Sequence, residues 1–306
     1  MAQWQKGKGW GWIWGAEDEI GALNAITPQT VLEALRLIRH GKTADLGLVV
    51  DRSSFRWPGH AATEVMSYRT PSGERAAGDD VPGSNDTRWH SAVVFTCDHI
   101  GTHLDGLAHI TVGKGADTHW YNGFQEPRFG GDFGVMRAGA DKFPPIIARG
   151  ILLDVAGWKG VEALPSSYAI TPDDLRQTLA WENVELRTGD VVLVRTGTGR
   201  FWGETGADHE AIHRHDTAGI SLESAHWLIE EFGPIVLGSD TTTVEVVPFV
   251  ESVHAYCLVE QGVPLAELHY LEQLATEKVY EFAYVAMTNK IKGATAGIAM
   301  RPVAIY

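Results

Sequence analysis

Three histidines and one aspartate occupy eleven consecutive positions near the end of the first third of the chain, as His99, His103, Asp105 and His109. Imidazole and carboxylate groups together suit zinc, manganese, iron and nickel ions. Structural zinc sites usually contain several thiolates, and Cys97 is the only cysteine near this stretch. These residue types therefore predict a catalytic metal site that keeps one coordination position open.

The spacing of these residues limits the backbone that can carry them. In a regular α-helix the aspartate would point about 200° away from the preceding histidine. In a straight strand four residues span roughly 13 Å, whereas two ligands of one metal must bring their donor atoms within roughly 4 Å. The chain must therefore bend, and Gly101 and Gly106 can adopt the unusual φ values that a bend requires. We predict a strand over residues 91–98 that ends in a tight, ligand-bearing turn.

Composition restricts the class of protein. The chain has 306 residues and a formal net charge of −14, which disfavours binding to nucleic acid or to anionic membranes. No apolar run approaches the roughly 18 residues of a membrane span, and the N-terminus lacks the apolar region of a signal peptide. Cys97 and Cys257 do not make a disulfide framework, so we expect a cytoplasmic protein. Without repeats or linkers, 1–306 is predicted to be a single domain.

A Trp-rich arm forms about the first 25 residues of this domain. Trp10, Trp12 and Trp14 alternate with other residues, which could place three indoles on one side of an extended segment. Packing in the core or at an interface is one interpretation, and an aromatic wall of a ligand pocket is the other. The irregular regions 71–90 and 111–143 are either substrate loops or surface insertions.

Strands and helices alternate through the rest of the chain, which predicts a mixed α/β fold. Residues 149–155, 189–195 and 235–238 read as buried strands. Asp240 follows the third of them, and the carboxyl ends of such strands are usual places for site residues, although a capping role is the alternative.

Two further segments have less certain chemistry. Residues 208–216 contain His209, His213 and His215, a second possible metal cluster, but their polar surroundings favour a solvated loop. His254 opens or lies within a helical piece. Leucines at every third position predict a helix over 265–275, with Glu267 off its apolar stripe; the leucines are Leu265, Leu268, Leu271 and Leu274.

The motif His-x-Gly-Thr-His-x-Asp-x-x-x-His at 99–109 resembles the signature of the cyclase family of metal-dependent hydrolases, which includes bacterial kynurenine formamidases and isatin hydrolases. The resemblance covers most of the chain, because other matching segments lie outside the motif. Those segments begin at Trp14 and include Tyr121-Asn122-Gly123, the strand at 189–193 and Gly238-Ser239-Asp240. Leu107 stands where formamidase-type members usually carry proline, and this form is similar to longer members of the family.

The resemblance implies a swivelling β/β/α architecture, with a central mixed sheet or barrel flanked by helices, and a homodimer or homotetramer. It also implies a divalent ion, Mn²⁺ or Zn²⁺, bound by His99, His103 and Asp105, with His109 as the general acid/base. In two-metal members a glutamate at the position of Glu267 joins a nearby histidine to complete a second site.

The activity that follows is hydrolysis of a small amide, lactam or lactone, with a C–N bond and an aromatic or cyclic substrate favoured. A divalent ion lowers the pKa of a bound water to around 7, and a histidine can transfer the proton. The candidates for contacts with this small-molecule substrate are Trp14, Tyr121, Asp240 and His254. The alternative function is that of a metal-dependent cyclase or lyase. A third is that of a non-catalytic protein, in which a fourth protein ligand such as Cys97 completes the coordination of the metal.

Overall fold

The computed structural model describes residues 3–79, 85–203, 206–293 and 297–306. The strands of these residues are β1 (Thr43–Asp45), β2 (Glu64–Arg69), β3 (Ser91–Phe95), β4 (His103–Asp105), β5 (Ile146–Asp154), β6 (Ala169–Ile170), β7 (Val191–Arg195), β8 (Trp202–Gly203), β9 (Gly206–Ala207), β10 (Gly219–Ile220), β11 (Val236–Ser239), β12 (Leu265–Glu267), β13 (Glu281–Ala286), β14 (Gly297–Ala299) and β15 (Val303–Ile305). The α-helices are α1 (Pro28–Leu35), α2 (Pro71–Ala77), α3 (Glu126–Phe129), α4 (Val155–Trp158), α5 (Pro172–Glu182), α6 (His209–His215), α7 (Leu222–Glu231) and α8 (Glu272–Glu277).

Shorter helical turns complete the described chain. One π-helix covers Ala255–Glu260. The 3₁₀ turns cover Gly21–Ala25, Gly115–Asp117, Tyr121–Gly123, Ala140–Lys142 and Thr198–Phe201. In the part of the chain that the structure describes, no helix is long and apolar enough to cross a membrane.

A nine-stranded, curled mixed sheet is the centre of the fold, in the order β1-β15-β13-β5-β7-β11-β12-β4-β14. The four middle strands β5, β7, β11 and β12 run parallel, and the strands at both ends pair antiparallel. Every residue of β7 is buried, as expected for a parallel strand covered on both faces. The predicted mixed α/β fold with flanking helices is confirmed, as are the three buried strands. The extent of the predicted single domain stays a prediction.

Strand β4 carries two of the predicted ligands and lies between β12 and β14. Its antiparallel register with β12 places Glu267 directly opposite His103. The predicted helix over 265–275 is therefore wrong in its first half: these residues form β12 and a turn, and helix α8 begins only at Glu272. The leucine spacing misled because pairing with two neighbouring strands, rather than local preference, decides the conformation here.

The histidine-rich segment is also different from its prediction. Residues 209–215 form α6 instead of a loop, with the Asp208 side chain accepting a hydrogen bond from the Ala211 amide as an N-cap. Ala211 and Ile212 are buried, while His209 and His213 are exposed. The cap and the buried apolar pair explain why this polar sequence is helical.

Part of the predicted loop over 71–90 is helical as well. Helix α2 begins at Pro71, after an N-cap in which the Thr70 hydroxyl accepts a hydrogen bond from the Gly73 amide. Residues 80–84 lie outside the described residues. Over 111–143 the structure is irregular, with four short helical turns, as the sequence predicts.

Three indoles of the Trp-rich arm are anchored to backbone carbonyls of the main body. The indole N–H groups of Trp4, Trp10 and Trp12 donate to Ile229, Pro234 and Val259 at 2.7, 2.9 and 2.7 Å. The Trp10 ring is 3% exposed and belongs to the main core, whereas Trp12 is 44% exposed. The packing interpretation of the arm therefore applies to Trp10.

We expect Trp10→Ala to lower the free energy of unfolding by about 3–5 kcal/mol, because it removes a buried indole and leaves a cavity. Trp12→Ala is the matched control and should lower the free energy of unfolding by clearly less, since about half of the Trp12 side chain already faces solvent. Urea unfolding followed by circular dichroism measures both. Equal losses in the two variants would show that burial does not decide the contribution of the arm.

Candidate metal centre

A short turn joins β3 to β4 and carries the first ligand of the predicted motif. Strand β3 ends at Phe95, three residues earlier than predicted, and the chain turns at 98–102. Gly101 has φ +60°, and a Cβ at this position would overlap the Val50 side chain. The predicted bend at Gly101 is confirmed. The parallel prediction for Gly106 is wrong, because its φ is not positive.

The turn brings the predicted ligands together. His99 Nε2 lies 3.4 Å from Asp105 Oδ1, and His103 Nε2 lies 3.5 Å from the same oxygen. Two ligands that each lie about 2.1 Å from one ion at a tetrahedral angle are about 3.4 Å apart. Both histidine nitrogens therefore lie at the distance from Asp105 Oδ1 that tetrahedral metal ligands have, and the ligand atoms of the three side chains lie within 4.8 Å of one another.

The donor atoms of this cluster are buried and have no hydrogen-bond partner. They are His99 Nε2, His103 Nε2, both carboxylate oxygens of Asp105 and Glu267 Oε1. Buried polar atoms in folded proteins are almost always paired, so five unpaired atoms in one cluster need an explanation. A divalent cation supplies it, because imidazole nitrogens and carboxylate oxygens are its usual ligands.

The second nitrogen of each imidazole is held by the protein. His99 Nδ1 bonds to Asp98 Oδ1 at 2.8 Å, and His103 Nδ1 donates to the Gly101 carbonyl at 2.7 Å. When the imidazoles are neutral, these bonds keep the proton on Nδ1 and leave Nε2, the nitrogen on the side of Asp105, free to bind a metal. The tautomer needed for metal binding is thus fixed in advance.

A second set of donors lies on the other side of Asp105. His254 Nε2 is 3.6 Å from Asp105 Oδ2 and 3.3 Å from Glu267 Oε1. Glu245 Oε1 holds His254 Nδ1 at 2.5 Å. The ligand atoms of Asp105, His109 and His254 lie within 4.8 Å of one another, so these three residues could hold a second ion, with the two oxygens of Asp105 facing different histidines.

Glu245 was missed by the sequence analysis, because no motif or spacing connects it to His254. The backbone around it is unusual: Val244 has φ +53°, and Leu268, next to Glu267, has φ +52°. Positive φ is rare for bulky or β-branched residues and is found mostly where surrounding structure enforces it. Both unusual residues are adjacent to a carboxylate of the cluster.

Without a metal, the cluster binds protons instead. Burial lowers the pKa of His99, but the hydrogen bond to Asp98 and the charge of Asp105 raise it to about 9. Burial also lowers the pKa of His103, and Asp105 and Glu267 raise it to about 10. Burial raises the pKa of Asp105, yet the surrounding histidines hold it well below its usual value. The cluster therefore favours positive charge next to the Asp105 carboxylate.

His109 lies beside the cluster and differs from the other histidines. Its ring centroid is 4.5 Å from that of His99 and 5.9 Å from that of His254. Burial is the largest effect and lowers the pKa of His109; the charge of Asp105 raises it, the charges of His99 and His254 lower it, and the net change is a lowering. Its imidazole is therefore neutral at neutral pH and can accept a proton.

Comparisons with known proteins identify the family of this chain. The family model named Cyclase matches residues 44–246, about two thirds of the chain. The chain belongs to the cyclase family. A crystal structure of a novel cyclase shares 27% identity and a TM-score of 0.86, over 98% of both chains.

Two isatin hydrolases share the fold at lower identity. An isatin hydrolase bound to the product analogue thioisatinate has 16% identity and a TM-score of 0.63, over 92% of this chain and 99% of its own. Isatin hydrolase A from Ralstonia solanacearum has 20% identity and a TM-score of 0.59, over 92% and 97%. Among curated proteins, none matches this sequence.

Cys97 lies on the opposite side of His99 from the cluster. Its Sγ donates to Asp98 Oδ1 at 3.6 Å, the oxygen that also bonds to His99 Nδ1. Cys97 and Cys257 are both free. The thiol therefore lies near Nδ1 of His99, whereas an ion would be bound by Nε2. This position argues against Cys97 as the fourth ligand of a closed metal site.

Of the predicted substrate contacts, only His254 lies in the cluster. Trp14 stacks on Trp10 at 5.9 Å, and the Tyr121 hydroxyl donates to Asp18 at 2.7 Å. Asp240 accepts hydrogen bonds from the backbone of the loop after β7. These contacts are within the fold, and the substrate roles of Trp14, Tyr121 and Asp240 stay predictions.

His209 and His213 of α6 contact the segment that covers the cluster, residues 53–60, rather than the cluster itself. The Phe55 ring lies 5.6 Å from the His209 ring and 4.9 Å from the His213 ring. His209 Nε2 also bonds to the Ser53 carbonyl at 2.7 Å. His215 Nδ1 bonds to the Leu164 carbonyl. Helix α6 thus supports the segment around Phe55.

A small cavity separates the cluster from this covering segment. It is lined by Phe55, Trp57 and His60 on one side and by the ligands on the other, and its volume is about 10 Å³. Such a cavity has space for about one water molecule. A molecule larger than water does not fit in this cavity unless residues 55–60 move.

We expect the binding of one Zn²⁺ ion near pH 7 to release about two protons, because His99 and His103 are protonated in the metal-free site and must be neutral as ligands. The apparent affinity should rise with pH up to about pH 9–10. Titration calorimetry in buffers of different ionisation enthalpy counts the protons. The His99→Ala variant should release one proton fewer on binding Zn²⁺. A heat of binding that does not depend on the buffer would show that no protons are released and would contradict the assignment of His99 and His103 as ligands.

Gly101→Ala should weaken Zn²⁺ binding at least about tenfold, because the added methyl group overlaps Val50 and displaces the ligand-bearing turn. Gly115→Ala is the matched control: Gly115 has φ +57°, and nothing lies within 4 Å of its Cβ position. Both variants carry the left-handed strain of about 1–2 kcal/mol, but only the first should lose metal affinity. Equal affinities in the two variants would exclude this role of Gly101.

Proposed function

We propose that this protein is a metal-dependent hydrolase that opens a small amide, lactam or lactone, with a C–N bond favoured. The observation that carries the proposal is the unpaired donor set of His99, His103 and Asp105 beside His109, a histidine that is neutral and not part of this set. A structural site would need neither the adjacent neutral base nor a cavity next to the ligands.

His99, His103 and Asp105 would hold the ion, which is Zn²⁺ or Mn²⁺ on the chemistry of the ligands. When bound, a divalent ion lowers the pKa of a coordinated water to around 7 and polarises a carbonyl group. The proton transfers are carried out by a residue of the protein. An imidazole nitrogen of His109 takes a proton from the attacking water, and the same nitrogen returns it to the leaving nitrogen or oxygen.

Aromatic residues above the cluster support an aromatic or cyclic substrate. Phe55 and Trp57 line the cavity together with His60, so a planar ring would meet planar side chains. The shared fold with isatin hydrolases is consistent with this class of substrate. Closure of residues 55–60 over the substrate would exclude bulk water from the carbonyl group.

His109→Ala should lower kcat by a factor of at least about a hundred while the bound metal per protomer stays unchanged, because the proton acceptor is lost and the ligands remain. The measurement pairs metal analysis with hydrolysis assays on aryl-formamides, isatin-like lactams, cyclic imides and lactones. His119→Ala, which changes a half-buried histidine outside the cluster, is the control and should keep full activity. Full turnover of His109→Ala would remove this residue from the mechanism.

Labelled water separates hydrolysis from the lyase alternative. A hydrolase incorporates one oxygen atom from H₂¹⁸O into the acid product at every turnover. A cyclase or lyase that only stabilises an enolate and eliminates water incorporates none into the carbonyl carbon. Mass spectrometry of the product therefore tests the reaction type independently of the substrate.

A further inference from the structure

His60 lies on the covering segment, and metal binding does not explain its position. Its side chain lines the small cavity together with His99 and His103. The ring centroids of His60 and His99 are 5.3 Å apart, and the two rings are tilted by 41°. In the part of the chain that the structure describes, three groups of side chains could hold a metal ion, and His60 belongs to none of them. This histidine therefore borders the site without being one of its ligands.

One nitrogen of the His60 ring is buried and unpaired. Its Nδ1 atom has no hydrogen-bond partner. Buried side-chain polar atoms nearly always have a partner, either in the protein or in ordered water. An imidazole carries a proton on at least one of its two nitrogens, so Nδ1 is the donor in one of the tautomers. An unpaired nitrogen on a residue that lines this cavity indicates a contact with the molecule that enters it.

The covering segment holds the His60 ring in place before any molecule binds. The His60 amide donates to the Trp57 carbonyl at 3.1 Å, which closes a turn. Earlier in the same segment, the Phe55 ring packs against the His209 and His213 rings of α6. A donor whose position is fixed in advance stabilises a developing charge most effectively, because it need not reorganise during the reaction.

The cavity has the size of a single oxygen atom. Its volume of about 10 Å³ is space for about one water molecule. An oxygen atom in this cavity lies next to both His60 and the ligand side chains His99 and His103. When water adds to an amide or a lactone, the carbonyl oxygen becomes negative, and a hydrogen-bond donor beside it lowers the energy of the transition state.

We propose that His60 binds the substrate and donates a hydrogen bond from Nδ1 to its carbonyl oxygen as negative charge develops there. This inference rests on the proposed function and adds a second residue to it. His109 transfers the proton between the attacking water and the leaving group. His60 keeps its proton throughout and stabilises the oxygen that does not leave.

The experiment compares variants of the full-length protein loaded with Zn²⁺. His60→Ala should lower kcat by about tenfold to a thousandfold and change KM clearly less, because the lost hydrogen bond is strongest in the transition state. His60→Asn should recover most of this loss, since its amide NH₂ group lies close to the position of Nδ1. His60→Gln should not, since its amide reaches the position of Nε2. His40→Ala, which changes an exposed histidine outside the cavity, is the control and should keep the wild-type kcat.

A binding measurement tests His60 without turnover. Phenylphosphonate presents tetrahedral, anionic oxygens like those that form when water adds to a carbonyl group, whereas benzamide presents a planar, neutral carbonyl. In titration calorimetry, His60→Ala should raise the Kd of phenylphosphonate at least about tenfold, because a hydrogen bond to a charged oxygen is lost. The Kd of benzamide should rise clearly less.

These measurements separate this inference from the proposed function. Wild-type kcat in His60→Ala beside an inactive His109→Ala overturns the role of His60 and leaves the hydrolase proposal standing. Loss of bound metal from His60→Ala also overturns it, because His60 would then be a ligand. Equal recovery by His60→Asn and His60→Gln, or an equal loss of affinity for both probes, would show a packing role instead. If the wild-type protein hydrolyses none of the substrates, the proposed function fails, and the phenylphosphonate measurement alone decides the role of His60.

Discussion

The Asp105 carboxylate is fully buried, and neither of its oxygens has a hydrogen-bond partner. A buried, ionised carboxylate is costly unless opposite charge surrounds it. Here the opposite charge comes from protonated histidines in the metal-free protein and would come from a cation in the active one. Much of the architecture around the site positions this one charge, because His99, His103 and His254 reach it from two segments that are far apart in the sequence.

The sheet is what makes that convergence possible. Strand β4 is inserted antiparallel beside β12, at one end of a parallel core, so that Glu267 faces His103 across the register. Each of the three ligand-like histidines has its Nδ1 atom held by a fixed acceptor, Asp98, the Gly101 carbonyl or Glu245. The donor atoms are therefore positioned before an ion arrives, which reduces the ordering that binding requires.

The proximity of His99, His103, Asp105 and His109 could be predicted from the sequence, because these residues lie in one short stretch. Their spacing also required the bend at Gly101. It could not place Glu245 or the contact between His254 and Asp105, which depend on loops brought together by the sheet. The leucine spacing at 265–275 indicated a helix, but strand pairing prevailed. The polar composition of 208–216 indicated a loop, but the N-cap at Asp208 and the burial of Ile212 stabilise the helix α6.

The central claim is that Asp105 and the histidines around it bind a divalent ion. Crystals grown with Zn²⁺ or Mn²⁺, measured on both sides of the absorption edge of the metal, test it directly. The account predicts an anomalous peak about 2.0–2.2 Å from His99 Nε2, His103 Nε2 and an oxygen of Asp105. An empty site at full metal concentration, or a peak bound only by Cys97 or by the histidines of α6, would contradict it.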